Sequence, residues 1–218
     1  MTMGEGGAVY TRDPLLNRIV RSLRDWGRDC VCPSGRDNLC GHRFDRQYGE
    51  LPRGYDHKYV YSHLGYNLKA TDMQAAVGTA QLEKLTAFTA ARKANHAALL
   101  EALAPLSDRL ILPEAAKNAD PSWFGFLVTC REGLGRERIV RALEAENIQT
   151  RMLFAGNLLK HPCFDGLRGD ETRVRVCGPL TNTDRIMNDA FWLGVYPGMT
   201  RPMLDRMADA LTRAVRSA

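Results

Sequence analysis

Residues 27–65 form a long stretch without the periodicity of a helix or a strand. Gly, Pro, Arg and Tyr dominate it, and its apolar residues follow neither a 3.6-residue spacing nor a strict alternation. Connections in compact domains usually span about 4–6 residues, so an irregular segment of this length is typical of a functional loop. We therefore expect this loop to carry a function, and the clustered cysteines lie inside it.

Helices are predicted on both sides of the loop. Residues 13–26 carry apolar side chains at helical spacing, and Asp13 is a suitable N-cap. Beyond the loop, Thr71 and Gln74 fit a capping box, in which each side chain serves a backbone amide of the other residue. A long helix is therefore predicted from this cap to the break near Pro105, with a bend on the way.

The remaining sequence alternates between predicted strands and helices. Residues 122–130 and 173–177 alternate like strands, and residues 136–146, 184–193 and 202–218 have helical spacing. This order predicts the α/β class, of the α+β type within this chain, with a sheet of a few strands covered by helices. The first residues, 1–70, contain one helix and no evident sheet, so we expect them to pack on residues outside this sequence.

Composition excludes several classes of protein. The formal net charge is only +5, and no nucleic-acid-binding motif is present, so we expect no nucleic-acid partner. Every apolar run is shorter than the roughly 20 residues that a bilayer requires, so we expect no membrane span. The N-terminal residues lack the features of a secretory signal, which predicts a cytoplasmic location. Cysteines stay reduced there and are better interpreted as metal ligands or redox groups than as disulfides.

The loop contains a C-x-C-x7-C cluster formed by Cys30, Cys32 and Cys40. Residues two apart in an extended segment project to the same side, and the turn-forming residues that follow allow Cys40 to return to them. Three thiolates are one short of a closed zinc site or an iron–sulfur cluster. The spacing does not decide between zinc, iron and three free thiols. Candidates for a fourth ligand are His42, His57, Cys130, Cys163, Cys177 and a residue outside this sequence.

Three stretches resemble one family of enzymes. They are TMGEGGAVYT (2–11), RDWGRDCVCPSGRDNLCGHRF (24–44) and YDHKYVYSHLGYNLKATDMQAA (55–76). Together they resemble the pyridoxamine-phosphate-dependent CDP-4-keto-6-deoxy-D-glucose 3-dehydrases of the DegT/DnrJ/EryC1/StrS aminotransferase-like group. The resemblance implies the C-terminal part of the PLP-dependent aminotransferase fold type I. Residues 1–70 would then be a remnant of the large cofactor domain with an iron–sulfur loop at 27–65, and residues 71–218 the long helix and the small domain.

The resemblance also implies roles for individual residues. Cys30, Cys32 and Cys40 resemble three of the four ligands of a 2Fe-2S cluster, whose fourth cysteine lies upstream of this sequence. Asn67 resembles the asparagine that reaches the phosphate of pyridoxamine 5'-phosphate in the neighbouring subunit, which implies a homodimer. The family's histidine, at the position of the Schiff-base lysine of transaminases, would lie upstream of Met1, so no catalytic residue is expected within this chain.

The function implied is that of a 3-dehydrase fragment in dideoxysugar and lipopolysaccharide O-antigen biosynthesis, inactive on its own. Its substrate would be a CDP-sugar, and a flavin iron–sulfur reductase would supply electrons. Two alternatives stay open. The chain is a fragment of a nucleotide-sugar transaminase whose cysteines are relics, or it is a non-catalytic zinc-binding interaction module that uses the three cysteines and one histidine.

Overall fold

A computed structural model of the protein describes residues 1–33 and 35–218. These residues form two compact units, Met1–Glu83 and Lys84–Ala218. The sequence placed the domain boundary at residue 70, whereas the structure keeps the helix that follows residue 71 with the N-terminal unit. The assignment of the two parts to a large and a small domain of a longer enzyme remains a prediction. No helix in the described ranges is long and apolar enough to cross a membrane.

The N-terminal unit contains helices α1 (Pro14–Arg24) and α2 (Asp72–Leu82). Both start where the sequence predicts. The Asp13 carboxylate accepts hydrogen bonds from two backbone N–H groups of the first turn of α1. At α2, Thr71 Oγ1 accepts from the Gln74 backbone N–H, and the Gln74 side chain accepts from the Thr71 backbone N–H. The predicted N-cap and capping box are therefore confirmed.

The loop between these helices is held together where two of its segments, 25–29 and 60–68, pair in antiparallel directions. We call this place the crossing of the loop. Asp25 pairs with Asn67 and Arg28 with Tyr61 as isolated antiparallel bridges. Few side chains are buried: α1 has none, and its apolar residues Leu15, Leu16, Ile19 and Leu23 are all exposed. Backbone hydrogen bonds and turns, rather than an apolar core, therefore define this unit.

The C-terminal unit is built on an antiparallel sheet with the strand order β1-β2-β4-β3. The strands are β1 (Leu110–Ile111), β2 (Gly125–Cys130), β3 (Thr150–Met152) and β4 (Ala190–Gly194). Alternate residues of β2 are buried, namely Phe126, Val128 and Cys130, as the alternation in the sequence predicts. The small sheet and the fold class are thereby confirmed.

Four helices accompany this sheet: α3 (Leu85–Leu103), α4 (Arg136–Ala145), α5 (Thr181–Asp189) and α6 (Arg201–Ser217). Three of them supply the core against the sheet, with Leu99 and Leu103 from α3, Ile139 and Leu143 from α4, and Leu211 and Val215 from α6. Each of these six side chains is fully buried. Their helical spacing explains why the predictions for α4 and α6 are confirmed.

Three predictions about secondary structure are wrong in part or in full. Residues 173–177 are not a strand, because Val174 and Val176 lie in irregular chain with no partner strand and Val176 is half-exposed. The helix predicted over 184–193 ends at Asp189, and its last apolar residues form β4 in the buried centre of the sheet. The long helix predicted after Thr71 is divided into α2 and α3 between Leu82 and Leu85.

Candidate functional site

The three clustered cysteines of the loop line one small cavity. The irregular chain through Cys30 and Cys32 and a turn at Leu39 and Cys40 bring the thiols to the same place. The lining is completed by polar and charged side chains, and the full set is Cys30, Cys32, Asp37, Asn38, Cys40, Arg43, His57 and Lys58. The convergence expected from the spacing is thus present, and ligation of a metal by these thiols remains a prediction.

The three thiols differ in their surroundings. Cys30 and Cys32 are half-buried, whereas Cys40 is exposed. Burial is the main cause that raises the pKa of Cys30; a backbone hydrogen bond from Cys32 partly offsets it, and the neighbouring thiols of Cys32 and Cys40 add smaller upward contributions. Several thiolates at such close quarters repel each other, so a bound cation would be needed to hold all three deprotonated.

His57 forms one wall of the cavity and contacts the thiol of Cys40. Its Nδ1 atom lies 3.6 Å from Cys40 Sγ, and its Nε2 atom lies 2.6 Å from Asp29 Oδ2. The side chain of His57 is only 9% exposed. Tyr48 stacks on it with the ring centroids 5.2 Å apart and the planes 14° from parallel. The ring is therefore fixed on one face and at both nitrogens.

His42, the other nearby histidine predicted as a fourth ligand, is arranged differently. Its ring nitrogen Nδ1 pairs with Asp45 at 2.9 Å, and the side chain is exposed. Only its backbone N–H approaches the cluster, donating to Cys40 Sγ at 3.4 Å. The more distant candidates Cys130, Cys163 and Cys177 belong to the second compact unit. Of the two histidines predicted as a fourth ligand, His57 is the one whose ring contacts a cysteine of the cluster.

The positive side chains of the cavity are already paired. Arg43 donates from Nε and Nη2 to the two carboxylate oxygens of Asp56, at 3.0 and 2.7 Å, and this hydrogen bonding lowers the pKa of Asp56. Lys58 forms a short ion pair with Asp37, which lowers the pKa of that carboxyl. Because Arg43 and Lys58 each have an acidic partner, the positive charges that line the cavity are balanced by neighbouring carboxylates.

The described part of the chain contains no group of three or more Cys, His, Asp or Glu side chains already arranged to hold a single metal ion. The three thiols therefore share a cavity without forming a preset site for one ion. A dinuclear cluster distributes its protein ligands over two irons rather than around one centre.

Asn67, the predicted cofactor residue, lies at the edge of the crossing between loop segments. Its side chain is exposed, and its Oδ1 atom accepts a hydrogen bond from Lys69 Nζ at 2.8 Å. The same ammonium group donates to Asp25 Oδ1 at 2.6 Å. With the carbonyl oxygen engaged, the amide N–H₂ group is the part of Asn67 suited to an anionic acceptor.

The contacts of His57 include residues that the sequence did not identify. His57 is among the predicted candidates for a fourth ligand, whereas Asp29 and Tyr48 carry no recognisable motif. Asp29 lies 28 residues from His57, so no helical or strand spacing relates them. The only local signal for this contact is the position of Asp29 directly before the first cysteine, in a loop that also contains histidines.

The fold and the cavity define a class of protein: a part of an aminotransferase fold that carries a thiol-lined loop. A structure of the Escherichia coli GDP-4-keto-6-deoxy-D-mannose-3-dehydratase with bound hydrated PLP superposes with a TM-score of 0.71, over 92% of this chain and 48% of that chain. Its sequence identity is 20%, so this likeness concerns the fold alone.

Sequence comparison gives the family. The pattern of the DegT/DnrJ/EryC1/StrS aminotransferase family matches residues 1–212. The lipopolysaccharide biosynthesis protein RfbH of Salmonella typhimurium is 55% identical over 94% of this chain and 46% of its own length. The dTDP-4-dehydro-2,6-dideoxy-D-glucose 3-dehydratase of Saccharopolyspora spinosa is 48% identical over 99% of this chain and 46% of its length. The chain belongs to the DegT/DnrJ/EryC1/StrS aminotransferase family, and it spans about half the length of these curated relatives.

Proposed function

We propose that this chain is the C-terminal half of a nucleotide-sugar 3-dehydratase that uses pyridoxamine 5'-phosphate and a 2Fe-2S cluster in dideoxysugar and lipopolysaccharide biosynthesis. One observation carries the proposal: the three cysteines of C-x-C-x7-C line one cavity. The relatives support it, because one is named for lipopolysaccharide biosynthesis and another for the 3-dehydratase reaction. The substrate is a CDP-4-keto-6-deoxy sugar. A dTDP-4-dehydro-2,6-dideoxy sugar is the second candidate, because the Saccharopolyspora spinosa relative is named for that substrate.

The donors in the cavity fit an iron–sulfur cluster in kind. Such clusters are held by cysteine thiolates, usually four, and Cys30, Cys32 and Cys40 would supply three of them. A residue outside this chain would supply the fourth. When bound, the cluster would pass electrons one at a time. The protein's part is to keep two of the thiols half-buried and to set their spacing through the loop.

The part of Asn67 in this function is to hold the cofactor phosphate of the neighbouring subunit in a homodimer. Its carbonyl oxygen accepts from Lys69, and its amide N–H₂ group is the donor that would bind a phosphate oxygen. Pyridoxamine phosphate would supply an electron sink for the sugar carbon that reacts. Membership of an aminotransferase family supports this cofactor class.

The remaining partners follow from the same reaction. Removal of a hydroxyl by reduction needs two electrons, which a flavin iron–sulfur reductase would deliver to the cluster. All six cysteines are free thiols in the structure, which favours a reducing compartment and therefore the cytoplasm. Without the other half of the enzyme, this chain would have no dehydratase activity.

The test is a metal analysis of protein purified without oxygen and supplied with iron and sulfide. About two irons per chain, with the visible absorption of thiolate-bound iron, would support the dehydratase. One zinc per chain and no colour would instead support the zinc-binding interaction module. Protein that holds neither metal would favour the transaminase, with the cysteines as relics.

A further inference from the structure

The imidazole of His57 links a carboxylate to the thiol cavity. Asp29 Oδ2 lies 2.6 Å from Nε2, and Cys40 Sγ lies 3.6 Å from Nδ1, which is within hydrogen-bonding range for a sulfur acceptor. Arg18 faces the second oxygen of Asp29 at 3.6 Å and so stabilises the carboxylate. The three groups Asp29, His57 and Cys40 thus form a continuous chain of polar contacts that ends at the cysteine cluster.

The position of His57 is fixed by its backbone as well as by its ring. Its backbone N–H donates to the Arg43 carbonyl at 2.8 Å, and Asp56 caps the short turn that begins at His57. Stacking by Tyr48 and burial of the side chain leave the imidazole little freedom. Burial of a polar ring costs free energy unless its nitrogens form hydrogen bonds. In His57 both ring nitrogens have a specific partner.

We propose that His57 is a positioning residue of the metal site and carries a proton on both ring nitrogens: Nε2 donates to the Asp29 carboxylate, which orients the ring, and Nδ1 donates to the sulfur of Cys40 when that sulfur holds iron. The inference rests on the proposed function, because it requires Cys40 to be a cluster ligand. Groups behind the ligands set their orientation, and hydrogen bonds to cluster sulfurs help to set the reduction potential. A donor at Cys40 stabilises the more negative, reduced cluster and so raises its potential.

The chain offers variants that separate the two contacts of His57. In His57→Gln the amide can reach the place of Nε2 beside Asp29, while the donor to Cys40 is lost. In His57→Asn the amide can occupy the place of Nδ1 and keep that donor, while the contact with Asp29 is lost. His42→Asn is the matched control, because the ring of His42 pairs with Asp45 and only its backbone contacts Cys40.

The measurement is a redox titration of each variant after loading with iron and sulfide, followed by visible absorption and electron paramagnetic resonance. In His57→Gln we expect the ratio of reduced to oxidised cluster at a fixed potential to fall about tenfold, which corresponds to about 59 mV for a one-electron couple. His57→Asn should stay close to the wild type, and His42→Asn should match it. Unchanged potentials in His57→Gln would overturn the inference.

A second readout needs no metal and guards against a folding defect. In proton–nitrogen spectra of the histidine side chains, Cys40→Ser and Asp29→Asn should both shift the ring signals of His57 and leave those of His161 in place. Absence of these shifts would overturn the inference. Direct coupling of the His57 ring nitrogen to iron would also overturn it, by making His57 a ligand. A wild-type chain that takes up no iron would instead refute the proposed function.

Discussion

Gly27 and Gly65 meet where the two segments of the cysteine loop cross. A β-carbon on Gly65 would lie 2.4 Å from the backbone nitrogen of Gly27, and one on Gly27 would lie 1.9 Å from the carbonyl oxygen of His63. Gly27 also has a φ of +82°, which side chains disfavour. The crossing therefore requires glycine at both positions, and it fixes the two segments that directly adjoin Cys30 and the short turn of His57.

Gly65→Ala should destabilise the N-terminal unit by about 2–4 kcal/mol, because the neighbouring atoms are backbone and cannot move aside cheaply. Urea denaturation followed by circular dichroism would measure the change. Gly7→Ala is the control, since a β-carbon there would meet no atom within 4 Å. Equal stability of the two variants would show that the crossing does not depend on this close approach.

Thr71→Ala should weaken the start of α2 by about 1 kcal/mol, because the Gln74 backbone N–H loses its acceptor. Hydrogen exchange of the α2 amides would show faster exchange in the first turn. Thr79→Ala removes a threonine from the same helix without touching the cap, since Thr79 Oγ1 donates only to the Ala75 carbonyl. If Thr79→Ala accelerated the same amides equally, the cap would not be the cause.

Much of the fold follows from local signals in the sequence. The N-cap residues Asp13 and Thr71 predict the starts of α1 and α2. The alternation of buried and less buried residues around Phe126 identifies β2. The signals fail where tertiary context decides. The apolar residues of β4 follow α5 with no Gly or Pro between them. The sequence therefore gives no signal that the helix ends at Asp189 and the strand begins at Ala190. The valines at 174 and 176 alternate but find no partner strand.

The candidate site divides in the same way. Convergence of Cys30, Cys32 and Cys40 follows from their spacing and from the turn-forming residues between them. The contact of His57 with Asp29 could not be predicted, because it depends on how segments of the loop cross rather than on any repeat in the sequence. Metal identity is not determined by the spacing, because zinc and iron–sulfur centres both use thiolates.

Stability of the C-terminal unit should fall as the pH drops below about 6.5, and His96 should be one cause. The His96 imidazole is buried between Trp123 and Phe126, and burial lowers its pKa in the folded protein. The unfolded chain then binds a proton at mildly acidic pH that the folded chain does not, so protonation favours unfolding. Denaturation midpoints measured between pH 7 and pH 5 would show this decline.

His96→Phe tests the assignment. The variant keeps an aromatic ring at the site and removes a nitrogen, Nε2, that has no hydrogen-bond partner among the described atoms. We expect a smaller loss of stability on acidification and a gain of about 1 kcal/mol at neutral pH. His161→Phe alters the other histidine of this unit and should retain the full decline. The same decline in His96→Phe would refute the role of His96.

Cys130 should resist alkylation in the folded protein. Burial in strand β2 raises the pKa of its thiol to about 11, from an ordinary value of 9.0, so its thiolate fraction at pH 8 is about 100-fold lower. Iodoacetamide labelling followed by peptide mass spectrometry should modify the exposed Cys163 and Cys177 first. In strong denaturant the three rates should converge. Rapid labelling of Cys130 in the native protein would contradict its burial.

Serine substitution of the loop cysteines should remove the metal without unfolding the chain. Cys30, Cys32 and Cys40 line one cavity, so loss of any one thiol leaves the centre another ligand short. We expect the iron content of Cys40→Ser to fall at least about tenfold, since a hydroxyl is a poor replacement for a thiolate. Cys177→Ser, at an exposed cysteine of the other unit, is the matched control and should keep the wild-type content. Equal iron loss in both variants would mean that iron binds to any thiol of the chain. This result would refute the assignment of the metal site to the loop.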